Sequence, residues 1–136
     1  MPDCIFCKIA NGELPSERVF EDGDFVAILD INPASEGHTL IMPKAHTPNL
    51  LEASAKILDG ALHVSQKIGQ AIQAALKCDG LNFSSNIGEA AGQSVEHLHF
   101  HVVPRYFGDG LALWPQFKYA EGRMTAVADK IRKELA

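Results

Sequence analysis

The sequence predicts one α+β domain, residues 1–136, with a mostly antiparallel sheet, one long helix and a C-terminal helix. Short strand patterns occur together before residue 45, a long amphipathic helix follows, and strand patterns resume after residue 80. This order differs from the regular alternation of strands and helices that builds a parallel sheet. The length suits one domain, and no repeat or low-complexity linker divides the chain.

The first part of the chain predicts a helical turn at residues 5–10 and strands at 18–21, 25–29 and 38–42. Gly, Pro, Asn and Asp residues separate these segments, as expected for turns and loops. Residues 25–29 are apolar without interruption, which favours a strand that is buried on both faces.

The second part of the chain contains the longest predicted helix, from about residue 53 to residue 76. Apolar residues recur there at every third or fourth position, which gives the helix one apolar face. Strands are expected at 81–86 and 95–103, with a glycine-containing loop at 88–93 between them. Residues 124–135 show the pattern of a terminal amphipathic helix.

Composition excludes some classes of partner. The formal net charge of -5 argues against a duplex nucleic-acid surface, which requires a basic stripe, but is compatible with a single bound nucleotide. No apolar run approaches the roughly 20 residues of a membrane span. Residues 1–4 lack the features of a signal peptide. We therefore expect a cytoplasmic protein without membrane contact, whose thiols stay reduced.

Three histidines dominate the last predicted strand. His97, His99 and His101 alternate with apolar residues. Successive side chains of a strand point to opposite faces, so one face is predicted to carry only imidazoles and the other to join the core. Such a face suits either metal ligation or direct attack of one imidazole on phosphorus.

The loop that precedes the histidines favours attack on phosphorus. Gly88 and Gly92 allow backbone N–H groups to approach an anion closely. Asn86, Gln93 and Ser94 add side-chain hydrogen-bond donors. A loop of this kind directly before a histidine face is typical of a phosphate-binding site.

Four segments together resemble the histidine triad (HIT) family, in its Hint-like branch. The His-x-His-x-His run lies within residues 92–103, and residues 4–9, 29–33 and 37–46 resemble three further segments in the family's order. The resemblance implies a HIT-like fold. It extends to about residue 106.

The resemblance assigns the chemistry to His99 and His101. In the family the middle histidine attacks the α-phosphorus, a nucleotidyl–histidine intermediate forms, and water releases a nucleoside monophosphate. His99 occupies that position, and a backbone carbonyl nearby would hold its second nitrogen and fix the tautomer. His101 would hydrogen-bond the phosphate or bridging atom and stabilise developing charge.

The resemblance also implies a set of nucleotide contacts. Asp30 would bind the ribose hydroxyls, and His38 would lie beside the triad and support it without contacting the ligand. For each position a structural role remains open: Asp30 also suits the start of a turn, and His38 also suits a satisfied structural histidine. The remaining expected contacts are Ile5, Phe6, Ile9 and Ile31 around the base, and Asn86, Gln93 and Ser94 at the phosphate and leaving group.

Cys4 and Cys7 form a Cys-x-x-Cys pair, which alone is compatible with metal binding or redox chemistry. The resemblance supplies two further ligands, His46 and His97. A closed set of two cysteines and two histidines is typical of a structural zinc site, because no position is left for a substrate water. An unmetallated pair is the alternative.

These expectations converge on a hydrolase or transferase that acts on purine nucleoside phosphoramidates or related nucleotidyl conjugates such as AMP derivatives. The alternatives are a dinucleoside polyphosphate hydrolase, an enzyme with a catalytic metal at the histidines, and a nucleotide-binding regulatory or scaffold module. The resemblance further implies a homodimer, in which the tail around Trp114 approaches the partner's active site.

Overall fold

The computed structural model describes residues 3–136 and contains one five-stranded sheet with the strand order β1-β2-β3-β5-β4. Met1 and Pro2, part of the N-terminal segment considered above, lie outside the described residues. All four strand pairings are antiparallel, which confirms the predicted α+β class. In chain order the elements are α1 (Ile5–Ala10), β1 (Arg18–Glu21), β2 (Phe25–Leu29), β3 (Thr39–Pro43), α2 (Ala55–Leu76), β4 (Gly80–Ser84), β5 (Phe100–Arg105) and α3 (Arg123–Leu135).

The sheet separates two apolar clusters, and β2 contributes to both. Phe25 and Ala27 pack in the cluster that faces α2, whereas Val26 and Ile28 pack in the cluster that contains α1 residues. These four residues are buried, so the predicted two-faced burial of this strand is correct, whereas Leu29 at its end is 40% exposed.

The long helix α2 begins two residues later than expected. The hydroxyl of Ser54 accepts a hydrogen bond from the backbone N–H of Ile57, which is the contact of an N-cap residue. The helix ends at Lys77, whose φ of 54° is left-handed. Its buried face includes Ala61, Val64, Ile68 and Ile72, and this face covers one side of the sheet.

The predicted strand over residues 95–103 is wrong in its bounds. Strand β5 begins only at Phe100, because the N–H of Leu98 donates to the carbonyl of Thr47, which lies outside the sheet. The strand continues through Pro104 to Arg105. Beyond Val102 its recorded pairing is with β4 alone, and proline is tolerated where a strand is paired on one side.

The C-terminal segment leaves much apolar surface uncovered. Residues 106–122 form no regular element beyond turns, and α3 buries none of its side chains. Phe107, Trp114 and Phe117 are each more than 80% exposed, at 94%, 88% and 82%. Within residues 3–136, no helix combines the length and the apolar character that crossing a membrane requires.

Candidate functional site

A cleft of about 860 Å³ opens between α1 and the imidazoles of the histidine run. It brings together residues that are far apart in the sequence, and most of the expected contacts line it. Their roles in binding remain predictions. The expected residues that line the cleft are Ile5, Phe6, Ile9, Asp30, Ile31, Ser94, His99 and His101.

His99 lies in the extended segment just before β5 and is 4% exposed. Its Nδ1–H donates to the backbone carbonyl of His97 at 2.7 Å, which is the kind of contact that the family resemblance implied. Because Nδ1 carries the proton, Nε2 holds the lone pair. The ring of Phe6 packs edge-on against the imidazole, with 4.9 Å between the centroids. Burial lowers the pKa of His99, which favours the neutral, nucleophilic form.

His38 and His101 form a hydrogen-bonded chain with one defined direction. The backbone N–H of Ala34 donates to Nδ1 of His38 at 3.0 Å, so the proton of a neutral His38 resides on Nε2. That Nε2–H donates to Nδ1 of His101 at 2.9 Å. A neutral His101 therefore carries its proton on Nε2, a buried atom that has no hydrogen-bond partner in the part of the chain that the structure describes. This fixes a donor on the wall of the cleft.

Burial and the neighbouring imidazoles of His99 and His38 lower the pKa of His101 to about 4. Burial also lowers the pKa of His38, an effect that the Asp30 carboxylate partly offsets. Both rings are therefore neutral at neutral pH, which is the state that the hydrogen-bonded chain requires.

Asp30 holds a turn, which is the structural role that the sequence left open, and its ribose contact stays a prediction. Its Oδ1 accepts the N–H of Asn32 at 2.9 Å, which holds a turn, while Oδ2 lies 3.7 Å from Nε2 of His38. Ligand atoms of Asp30, His38 and His101 lie within 4.8 Å of one another, a spacing that a metal ion could use. The histidine pair, however, is already satisfied by a hydrogen bond of normal length, which needs no metal.

Gln93 does not contact the cleft as expected. Its Nε2 donates to the carbonyls of Pro48 and Val95, at 2.8 and 3.1 Å, and its Oε1 accepts the N–H of Gly88 at 2.9 Å. The amide is thus engaged in holding the loop, and no group is left for a phosphate. Asn86 also lies outside the cleft lining, beside Gly92.

Residues 14–17 line one end of the cleft and were not singled out from the sequence. They lie in a segment with turn-forming composition and carry no motif. Only their hydrogen bonds to α1 and to the end of β2 place them at the site.

A separate cysteine–histidine cluster consists of Cys4, Cys7, His46 and His97, whose ligand atoms all lie within 4.8 Å of one another. Nδ1 of His97 is 3.4 Å from the sulfur of Cys4 and 3.6 Å from that of Cys7, and Nδ1 of His46 is 3.4 Å from the sulfur of Cys7. A tetrahedral zinc ion with ordinary bond lengths places such nitrogen and sulfur ligands about 3.5 Å apart.

The orientation of His97 also fits a metal ligand. The residue is fully buried, and its Nε2–H donates to the carbonyl of Pro43 at 2.8 Å. This contact leaves the lone pair of Nδ1 directed towards the two sulfurs, which is the usual arrangement around a ligating histidine. Burial lowers the pKa of His97, which maintains the neutral form that binds metal.

Comparison with known proteins identifies the family. Residues 11–108 match the HIT domain. The chain belongs to the HIT family. The predicted family and the predicted HIT fold are therefore confirmed. The crystal structure of SMU.412c from Streptococcus mutans UA159 superposes with a TM-score of 0.93 at 42% identity, covering 100% of this chain and 87% of that one.

Two further HIT relatives bear on the site. The crystal structure of a Zn-bound histidine triad family protein from Mycobacterium smegmatis has a TM-score of 0.78 at 39% identity and covers 99% of both chains. Adenylylsulfatase HINT3 of Arabidopsis thaliana is 42% identical over 112 residues, which are 82% of this chain and 56% of that protein. The HIT family thus includes hydrolases that act on nucleotide derivatives.

Replacing His101 by asparagine is expected to make the fold less sensitive to acid. Between its folded pKa of about 4 and its ordinary value of 6.5, His101 is protonated only in the unfolded chain. The free energy of unfolding therefore falls as the pH drops through this window. We expect a shallower fall in His101→Asn, measured by urea denaturation between about pH 7 and about pH 4.5.

The exposed histidine of α2 provides the control for this experiment. His63→Asn should retain the pH dependence of the wild type, because this side chain lies on the solvent face of the helix. Equal slopes in all three proteins would contradict the buried, neutral state of His101.

Proposed function

We propose that this protein cleaves purine nucleoside phosphoramidates, or related nucleotidyl conjugates, at the α-phosphate through a nucleotidyl intermediate on His99. The observation that carries the proposal is the tautomer of His99. Its Nδ1–H is held by the carbonyl of His97, so the free lone pair of Nε2 belongs to a neutral imidazole on the cleft wall. Membership of the HIT family and the similarity to an adenylylsulfatase support the same reaction class.

In the first step Nε2 of His99 attacks the α-phosphorus, and the bond from phosphorus to the leaving nitrogen breaks. The positive charge that develops on the imidazole is stabilised by the hydrogen bond from Nδ1 to the carbonyl of His97. The Nε2–H of His101, which has no partner among residues 3–136, donates to a phosphate oxygen or to the bridging atom. Water then displaces the imidazole and releases the nucleoside monophosphate.

The residues that line the cleft support proposed positions for the rest of the nucleotide. Ile5, Phe6 and Ile9 of α1 provide one apolar wall for the base, and Ile31, which is 91% exposed, provides a side chain that a bound base would cover. Asp30 accepts hydrogen bonds from the ribose hydroxyls through the oxygen that the turn leaves free. Ser94 contacts the phosphate, Asn86 remains a predicted contact there, and Gln93 acts by holding the loop.

A structural zinc ion at Cys4, Cys7, His46 and His97 is part of the proposal. The spacing of the ligands suits a tetrahedral ion, and the zinc-bound HIT relative supports the assignment. Zinc supplies no step of the reaction; it would link α1 to the segment that carries His99. We place the activity in the cytoplasm, where the thiols remain available to the metal.

We also propose a homodimer that forms around the edge strand β4 and α2. Among the described residues, no strand pairs with the outer side of β4, and Phe83 on this strand is 47% exposed. The apolar side chains of residues 106–122 are exposed to solvent, and a second copy of the chain could bury them. The tail with Trp114 would then lie on the partner.

His99→Ala is expected to abolish turnover, because the proposed bond to phosphorus forms through Nε2 of this residue. We expect AMP release from adenosine 5′-phosphoramidate to fall on the order of 10³-fold or more. His63→Ala, in a histidine outside both clusters, should retain the wild-type rate. A variant that keeps more than about a tenth of the activity would place the nucleophile elsewhere. A wild type that binds AMP but turns over no nucleotidyl conjugate would instead be a binding module.

Cys7→Ser and His46→Asn are expected to lose bound zinc and to lower the thermal midpoint by about 10 °C, because a structural metal contributes directly to folding. Metal content measured by atomic emission, with calorimetry, tests this. Cys78→Ser removes the one cysteine outside the cluster and should retain the metal. A short treatment with a chelator, too brief to release the structural zinc ion, should leave the rate of AMP release unchanged. Stoichiometric zinc in Cys7→Ser would refute the assignment.

Phe83→Asp is expected to convert a dimer into a monomer, since it places two like charges at the proposed interface. Sedimentation equilibrium should give twice the chain mass of 14.8 kDa for the wild type. Val19→Asp, on the opposite edge strand β1, changes a residue that is similarly exposed, at 52%, and should leave the dimer intact. A monomeric wild type, or dissociation by the β1 variant alone, would contradict this interface.

A further inference from the structure

Within residues 3–136, three buried side-chain polar atoms have no hydrogen-bond partner: Ser16 Oγ, Ser65 Oγ and His101 Nε2. Ser16 and His101 both line the cleft, whereas Ser65 lies on the buried face of α2. The mechanism accounts for His101 through the phosphate. The hydroxyl of Ser16 has no role in that mechanism, although the residue lines the same cleft.

The position of Ser16 is fixed from two sides. The N–H of Leu14 donates to the carbonyl of Lys8 at the end of α1, at 3.3 Å, and the N–H of Leu29 donates to the carbonyl of Glu17 at 2.9 Å. Residues 14–17 therefore bridge α1 and the end of β2, and they close the cleft between these two walls.

This bridge lies at the base end of the cleft and not at the phosphate end. His99 marks the phosphate end of the cleft, and the ring of Phe6 packs against it. Ile9 lies three residues further along α1, which is about 4.5 Å along the helix axis. The bridge is bonded to α1 at Lys8, and the guanidinium of Arg18 directly after it binds the carbonyl of Ile9, so both contacts lie towards the C-terminal end of α1, away from Phe6.

An unpaired hydroxyl in an apolar slot is costly, since a buried polar group without a partner loses its hydrogen bonds to water. An alanine at position 16 would line the slot without leaving a polar group unpaired. A ligand with a polar atom at the far end of the slot would satisfy Ser16. The ribose and the phosphate are assigned to Asp30 and the imidazoles, so the base is the part of a nucleotide that extends this far.

We propose that the Ser16 hydroxyl hydrogen-bonds a ring nitrogen on the far edge of a bound purine and thereby sets the preference for purines over pyrimidines. The inference rests on the proposed function. Both adenine and guanine carry ring nitrogens on that edge. A pyrimidine anchored by the same ribose is one ring shorter and stops before it reaches the hydroxyl.

The test compares wild type, Ser16→Ala and the matched control Ser65→Ala on the 5′-phosphoramidates of adenosine and cytidine. We expect Ser16→Ala to lower kcat/KM for the adenosine substrate about 3- to 10-fold, through KM, with kcat and the cytidine substrate unaffected. Ser65→Ala removes an equally unpartnered buried hydroxyl outside the cleft and should retain the wild-type preference. The thermal midpoint of Ser16→Ala without ligand should be equal to or above that of the wild type, whereas a purely structural role would lower it.

An unchanged ratio of adenosine to cytidine kcat/KM in Ser16→Ala, in an active protein, overturns the inference and leaves the proposed function intact. If the wild type binds nucleotides without turnover, the proposed function fails alone. Calorimetric affinities for AMP and CMP then provide the same ratio. A wild type that neither binds nor cleaves nucleotides overturns both.

Discussion

His97 makes contacts through three of its atoms. The cysteine–histidine cluster and the orientation of His99 in the cleft both depend on these contacts. Its Nε2–H is bound to the carbonyl of Pro43 at the end of β3, its Nδ1 faces the sulfurs of Cys4 and Cys7, and its own carbonyl accepts the proton of His99. Because this residue is fully buried and held through both its ring and its carbonyl, a change in its position would disturb the contact with β3, the contacts with the two sulfurs or the hydrogen bond that sets the tautomer of His99.

Helix α1, with Cys4 at its N-cap, contributes both to the cysteine–histidine cluster and to the wall of the cleft. Cys4 and Cys7 present sulfur to His46 and His97, while Phe6, between them in sequence, packs against His99. Six residues are too few for a helix that is stable alone, so α1 depends on these tertiary contacts. Any ion that holds the two sulfurs also holds the apolar wall of the cleft.

The electrostatic state of the cleft follows from burial. The imidazoles of His38, His99 and His101 all have lowered pKa values because burial removes water from the charged form. Neutral rings need defined tautomers, and backbone groups define them: the N–H of Ala34 orients the pair of His38 and His101, and the carbonyl of His97 orients His99. The resulting arrangement presents a lone pair on one ring and a donor on another.

Three features could be predicted from sequence periodicity alone: the alternation of imidazole and apolar side chains from His97 to Val102, the buried strand at 25–29 and the apolar face of the long helix. These features depend on backbone periodicity, and an extended segment alternates its side chains whether or not it is paired in a sheet. Three others depend on how distant segments pack: where β5 begins, what Gln93 binds and how Ser16 closes the cleft. The Thr47 carbonyl that removes Leu98 from the sheet, and the Pro48 carbonyl that engages Gln93, lie more than 40 residues away. Contacts over such distances depend on how the chain packs, and no local pattern encodes them.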